Sequence, residues 1–212
     1  NGRDVAFLAI PLFFYTGLRI GECLALTFSD CQNRGEELFN GKNLDGWELI
    51  GDAHCTVTPK GILVTENGTS GKTSYLCTTS NYKDFELTYE YKQEVDGNTG
   101  VFFRGYIDEE GGLHGGEVEM GPHGWNNGGI FSAVNFKKIM EVNDEQDKIL
   151  RAGEWNTMRV RMKGAHIQTW LNGEPIADII DEPLGRLDGR LMLQVDGKPV
   201  RIFWRNIHLK KI

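Results

Sequence analysis

Two short segments place ionisable side chains at alternating positions within apolar runs: Gly100-Val101-Phe102-Phe103-Arg104 and Gly116-Glu117-Val118-Glu119-Met120. In a β-strand, residues two apart point to the same side, so Glu117 and Glu119 share one face while Val118 and Met120 share the other. The first face is acidic and the second is fit for a core. If Arg104 emerges beside them from a neighbouring strand, a rigid sheet carries a carboxylate pair next to a guanidinium. That is a surface able to bind a polar ligand or move protons. The competing reading of such side chains is a solvated outer face.

The elements that must hold these residues are short and punctuated by glycine. There are 27 glycines and only six prolines, with β-branched and aromatic runs between them, which favours tight turns and close strands over a helical bundle. Candidate strands run from Thr56 to Thr58, Gly61 to Thr65, Tyr75 to Thr78, Phe85 to Gln93, Gly100 to Arg104 and Gly116 to Met120. They continue from Gly129 to Ala133, Asn156 to Lys163, His166 to Leu171, Arg190 to Val195 and Val200 to Leu209. About eleven such strands imply an all-β fold, two packed antiparallel sheets in a sandwich or jelly roll. Phe85, Leu87, Tyr89 and Tyr91 alternate on one face, which should be core. Lys163-Gly164 marks a hairpin turn, and Asn172-Gly173 is the strongest hairpin signal in the chain. Residues 135–151 are polar and non-alternating and read as a long loop with one helical turn, a kind of loop that is often functional.

At 212 residues the chain can bury one sizeable core. Lysine and arginine total 23 against 30 acidic residues, a net charge of -7 without a long basic stretch. The electrostatic footprint of a nucleic-acid binder is therefore missing, and uncharged or cationic ligands fit better. Cys23, Cys31, Cys55 and Cys77 have no C-x-x-C spacing, so neither a zinc ribbon nor a redox pair is signalled. A Cys55–Cys77 disulfide requires an oxidising compartment, and free thiols are the simpler expectation. His114 and Glu117 are three apart, a spacing that does not converge reliably in a strand or turn, so no metal or other cofactor is expected. Asn67-Gly68-Thr69 fits a glycosylation sequon but reads equally as a turn.

The first 33 residues do not match the rest. Their apolar run, Val5 to Tyr15, spans about eleven residues, short of the roughly 20 that cross a bilayer. Arg3-Asp4-Val5-Ala6, Tyr15-Thr16-Gly17-Leu18-Arg19-Ile20-Gly21-Glu22 and Leu24 to Asp30 resemble the arginine box of tyrosine recombinases, where a guanidinium grips a phosphate. No His-x-x-Arg and no later tyrosine motif completes that site. The segment is read as a fusion or junction fragment with enough apolar periodicity for a helix but no independent fold. The remaining residues, 34–212, form the expected domain.

Glu37-Leu38-Phe39-Asn40-Gly41-Lys42-Asn43-Leu44-Asp45-Gly46-Trp47 resembles the opening motif of the 3-keto-disaccharide hydrolase family. Further family blocks follow in order: Asn98 to Arg104, Gly116 to Glu119, Gly153-Glu154-Trp155-Asn156, Trp170-Leu171-Asn172-Gly173, Leu193-Gln194 and Phe203 to Ile207. The resemblance implies a concanavalin A-like sandwich and cleavage of glycosides oxidised at the third sugar carbon. It also implies a secreted, periplasmic or cell-envelope setting, although no intact signal peptide is recognised in this chain. Elimination next to a ketone needs a base, an acid for the leaving oxygen and a group that stabilises the enolate. On this resemblance Glu117 is the general base or acid, supported by Glu119, which stands where relatives often have glutamine. Arg104 orients substrate or stabilises the enolate. Gln194, His123 and Lys92 complete a polar substrate-binding cluster.

Two departures bear on the transfer. Gly116 stands where relatives commonly carry tyrosine, and Val195-Asp196 follows the Leu-Gln pair where many have histidine. The alternative is a non-catalytic carbohydrate-binding module in which Trp125, Trp170 and Trp204 stack on sugar rings; the competing reading of these tryptophans is core or rim packing. The partner in either case is a carbohydrate, with no nucleic acid and no membrane span. The oligomeric state is not legible.

Overall fold

A computed structural model of the protein describes residues 35–212. The recombinase-like segment, its expected helix, Cys23 and Cys31 lie outside the described residues. The chain forms strands β1 (Glu36–Glu37), β2 (Trp47–Ile50), β3 (His54–Val57), β4 (Leu63–Glu66), β5 (Ser74–Asn81), β6 (Phe85–Val95), β7 (Thr99–Ile107) and β8 (Leu113–Met120). Then come β9 (Ile130–Ser132), β10 (Lys137–Met140), the helical turn α1 (Asp144–Asp147), β11 (Asn156–Lys163), β12 (His166–Leu171) and β13 (Glu174–Ile180). A second turn, α2 (Glu182–Gly185), precedes β14 (Arg190–Val195) and β15 (Arg201–Lys211).

Two antiparallel sheets face one another, as expected for a jelly roll. One has the order β13-β12-β11-β6-β15-β4-β3, with β1 also paired to β15; the other has the order β10-β9-β8-β7-β14-β5-β2. The core lies between them. Leu87, Tyr89, Tyr91, Trp204 and Leu209 from the first sheet meet Val101, Phe103, Val118, Met120, Leu193 and Val195 from the second. Trp204 is fully buried, with its indole N–H donating to Thr65 Oγ1 at 2.9 Å, so it is a core residue and not a sugar platform. Trp170 lies under the Arg159 guanidinium at 4.4 Å.

The expected hairpins form. Asn172 and Gly173 have φ of 53° and 91°, the positive pair that matches the twist of a two-residue β-hairpin, and they join β12 to β13. Gly164, at φ 57°, turns β11 into β12. The 135–151 region contains the expected helical turn, capped by Asn143 and Gln146, but it also contains β10, so it is not one continuous loop. β1, β2, β10 and β13 extend the expected strand set; β2, β10 and β13 lie at sheet edges, and β1 pairs with β15 off the main strand order. Edges are where Pro175 and paired lysines such as Lys137 and Lys138 discourage further strand pairing, and these same residues weaken the strand signal in sequence. Cys55 and Cys77 are free and sit in β3 and β5, which belong to different sheets.

Candidate active site

The outward face of the β10-to-β2 sheet presents two adjacent rows of side chains, set by cross-strand register. One row runs Lys138, Phe131, Glu117, Phe102, Met192, Cys77 and Glu48. The next runs Glu119, Gly100, Gln194, Tyr75 and Ile50. The first is apolar around Glu117. The second is polar and has a gap at Gly100.

Glu117 fills that gap. A Cβ added at Gly100 would collide with the Glu117 carboxylate, so the absence of a side chain there lets the carboxyl lie across the sheet toward Gln194. Glu117 is only 5% exposed, and burial pushes its proton affinity well above the usual carboxylate range, with the nearby Glu119 adding to the shift. Its Oε1 and the Oε1 of Gln194 are buried acceptors with no hydrogen-bond partner among the described residues. Orphaned buried acceptors on adjoining side chains are uncommon in a folded protein and mark a place where a ligand donor fits.

Glu119 is positioned by the 121–129 loop. Asn126 donates to Glu119 Oε2 at 2.5 Å and to the Met140 carbonyl at 2.9 Å, and its own Oδ1 accepts from Val142 N–H at 2.6 Å. Asn126 thus ties the carboxylate to the chain leaving β10. His123, on the same loop, is half-exposed and pairs with Asp147 of α1 at 3.0 Å. Trp125 rests against Gly121 and is 42% exposed, which leaves part of its ring open to solvent.

Arg104 does not join this cluster. The register of β7 with β8 shifts between Phe103 and Tyr106, and Arg104 takes a positive φ of 51°. Such a bulge adds a residue and re-aims the side chain, so the alternation that would have set Arg104 beside Glu117 is broken. Its guanidinium is fully buried and donates to the carbonyls of Lys83 at 2.7 Å, Gly164 at 2.9 Å and Leu184 at 2.8 Å, and to Asp84 at 3.0 Å. These partners come from three connections at one end of the sandwich. Arg104 is a clamp that holds them together, and its expected catalytic role is withdrawn.

Lys92 is corrected as well. It alternates with core-facing Tyr91 on β6 and so lies on the outward face of the other sheet, with its ammonium 5.5 Å from the Phe203 ring. It cannot share a cluster with Glu117 across the core. His114 pairs with Asp108 at 2.7 Å and stacks on Tyr106, and is thereby engaged away from Glu117.

Tyr75 and Asn126 are the site residues that sequence reasoning missed. Tyr75 neighbours Gln194 in the polar row and meets Phe102 edge-to-face, with centroids 5.8 Å apart and planes at 86°. Burial pushes its hydroxyl up to about 12, with the Glu117 carboxylate adding to the rise and the Gln194 amide opposing it. The signal was present in the expected strand from Tyr75 to Thr78: Leu76 is a core residue, so Tyr75 and Cys77 must face outward.

Fold and face together define a concanavalin A-like β-sandwich of the type shared by glycosyl hydrolases and carbohydrate-binding modules. Residues 35–210 match the 3-keto-alpha-glucoside-1,2-lyase-like domain, and the chain belongs to that family. Similar solved structures include a provisionally assigned glycosyl hydrolase from Parabacteroides distasonis ATCC 8503, at 19% identity and TM-score 0.67, covering 89% of this chain and 98% of that one. Another from the same organism has 22% identity and TM-score 0.60, covering 84% and 98%. The carbohydrate-binding module CBM66 from Bacillus subtilis has 17% identity and TM-score 0.57, covering 78% and 96%. No curated protein sequence matches the chain.

Proposed function

We propose that the 34–212 unit cleaves the glycosidic bond of 3-keto-glycosides by elimination followed by hydration, on the Glu117 face of the sheet. The observation that carries this reading is a nine-tenths-buried carboxyl with raised proton affinity and an unpartnered oxygen, aimed across a glycine gap. A carbonyl at C3 acidifies the C2 hydrogen. A carboxylate whose conjugate acid is weakened by burial is a stronger base than a solvated one, and it titrates nearer to neutrality. Glu117 takes the C2 proton, the C1–O bond breaks, and the product is an enone. Water then adds hydroxyl at C1 and a proton at C2. Glu119, held by Asn126, borders the site and adds to the raised proton affinity of Glu117, which favours return of the proton through Glu117. Gln194 accepts from a sugar hydroxyl through its free oxygen.

Such a substrate fits a carbohydrate of the cell envelope or the extracellular space. A second reading, a binding module without turnover, draws on the exposed Trp125 and on the fold shared with CBM66. Incubation with a 3-keto-glucoside and with its unoxidised parent separates the two. The enzyme reading expects sugar release from the ketone alone and none with Glu117→Gln. Absence of turnover, together with equal sugar binding by wild type and Glu117→Gln, would establish the binding module instead.

A further inference from the structure

With Arg104 committed to the end of the sandwich, the proton donor for the departing glycosidic oxygen must come from elsewhere on the Glu117 face. Lys138 is an outward neighbour of Phe131 on an edge strand, in the apolar row and on the far side of Glu117 from the polar gap. Arg190 is engaged with Glu48 at 2.6 Å. His123 is held by Asp147 on a loop. Tyr75 remains, in the same polar row as the gap.

We propose that Tyr75 is a catalytic residue, the general acid that protonates the leaving-group oxygen, acting opposite Glu117 across Gly100 and Gln194. The inference rests on the elimination reading above and deepens it. Register places Gly100, Gln194 and Tyr75 on successive strands β7, β14 and β5. Two strand spacings, roughly 10 Å, therefore separate the glycine under the Glu117 carboxyl from the Tyr75 backbone, and the Tyr75 ring reaches back over that interval toward β7, where it meets Phe102. The flat glycine and the Gln194 amide form its floor. The T-shaped contact with Phe102 fixes the phenol ring from the apolar row, and the Gln194 side chain hydrogen-bonds its hydroxyl, so the ring is set by packing and the hydroxyl faces the floor of the gap. A phenol that stays protonated across the physiological range is a donor and not a base, and the environment of Tyr75 favours its neutral form.

The step balances without a co-reactant beyond water. The C2–H bond breaks toward Glu117, the C1–O bond breaks as C1=C2 forms, and the Tyr75 proton moves to the departing oxygen. The phenolate next takes a proton from water, the resulting hydroxide adds to C1, and the Glu117 proton returns to C2.

The test is leaving-group dependence in Tyr75→Phe, measured with 3-keto-glucosides carrying nitrophenyl, phenyl and methyl aglycones. A general acid contributes about 10²- to 10⁴-fold, and it matters most when the departing oxygen is most basic. Tyr75→Phe is expected to lose at least about 100-fold for the methyl glycoside and only a few-fold for the nitrophenyl glycoside. Because the ratio is taken within one variant, partial misfolding does not change it. An equal loss for all three aglycones, or no loss, would overturn the role of Tyr75 while leaving the elimination reading intact. Failure of the wild type to cleave any of the three would overturn the elimination reading itself.

Discussion

Replacing Arg104 with methionine separates a structural clamp from a catalytic guanidinium. The substitution keeps an unbranched side chain of similar length and removes every donor. Three backbone carbonyls, those of Lys83, Gly164 and Leu184, lose a charge-assisted hydrogen bond in a site with no solvent access to the guanidinium. Each orphaned buried acceptor costs about 1–3 kcal/mol. The Asp84 carboxylate, about a third exposed, recovers much of its loss by hydration and is discounted. Lys83 and Gly164 are exposed residues whose carbonyls sit at the low end of that cost, and with the buried Leu184 carbonyl the net destabilisation is about 3–5 kcal/mol, in the range seen when one partner of a buried polar cluster is removed. In a domain of this size that lowers Tm by roughly 6–20 °C. Urea unfolding should show a lower midpoint at unchanged slope, and kcat/KM per folded molecule should stay within about twofold of wild type at low temperature. A variant with native stability and abolished turnover would refute the clamp and return Arg104 to the active site.

Three further outcomes follow from the same geometry. Gly100→Ala should fold with little loss, because the atoms it meets are the mobile end of Glu117, yet it should lower turnover at least about tenfold by displacing that carboxyl from the gap; native kinetics would show that the gap is unimportant. The folded state raises the proton affinity of Glu117, so between the unfolded carboxylate value near 4.3 and the higher folded value the native protein binds more protons, and this group's contribution to stability falls as pH rises. Glu117→Gln should therefore match wild type near pH 4 and become progressively more stable than it toward neutrality, by about 1.4 kcal/mol for each unit of the shift, as read by urea midpoints across pH. Thr65→Val leaves the buried Trp204 N–H unpaired and should cost about 1–3 kcal/mol in urea unfolding; an unchanged midpoint would show that the indole finds another acceptor.

Alternation alone carried much of the fold. Phe85, Leu87, Tyr89 and Tyr91 do face the core, and β11, β12 and β14 begin and end where the pattern indicates. Alternation tells inside from outside but not which sheet a strand joins. Lys92 was correctly readable as outward, yet it is outward on the wrong sheet for Glu117. The Arg104 error has a different origin: a bulge changes the period locally, and no residue of Phe103-Arg104-Gly105 announces a positive φ at the arginine itself. Glu117 and Gln194 were legible because β8 and β14 are regular at these positions; register sets Glu119 and Gln194 on either side of Gly100, and the Glu117 carboxyl lies over that glycine from the next row. Tyr75 required knowledge of the neighbouring strand order, which is long-range information.

The central claim is that Glu117 removes the proton next to the substrate ketone. Proton NMR of a 3-keto-glucoside incubated with the protein in deuterated buffer follows that event directly, because each reversible abstraction exchanges the C2 hydrogen. Wild type should catalyse loss of the C2 signal together with glycoside cleavage, and Glu117→Gln should slow both by at least about 100-fold. Cleavage with full retention of the C2 hydrogen, or unchanged exchange in Glu117→Gln, would contradict the account.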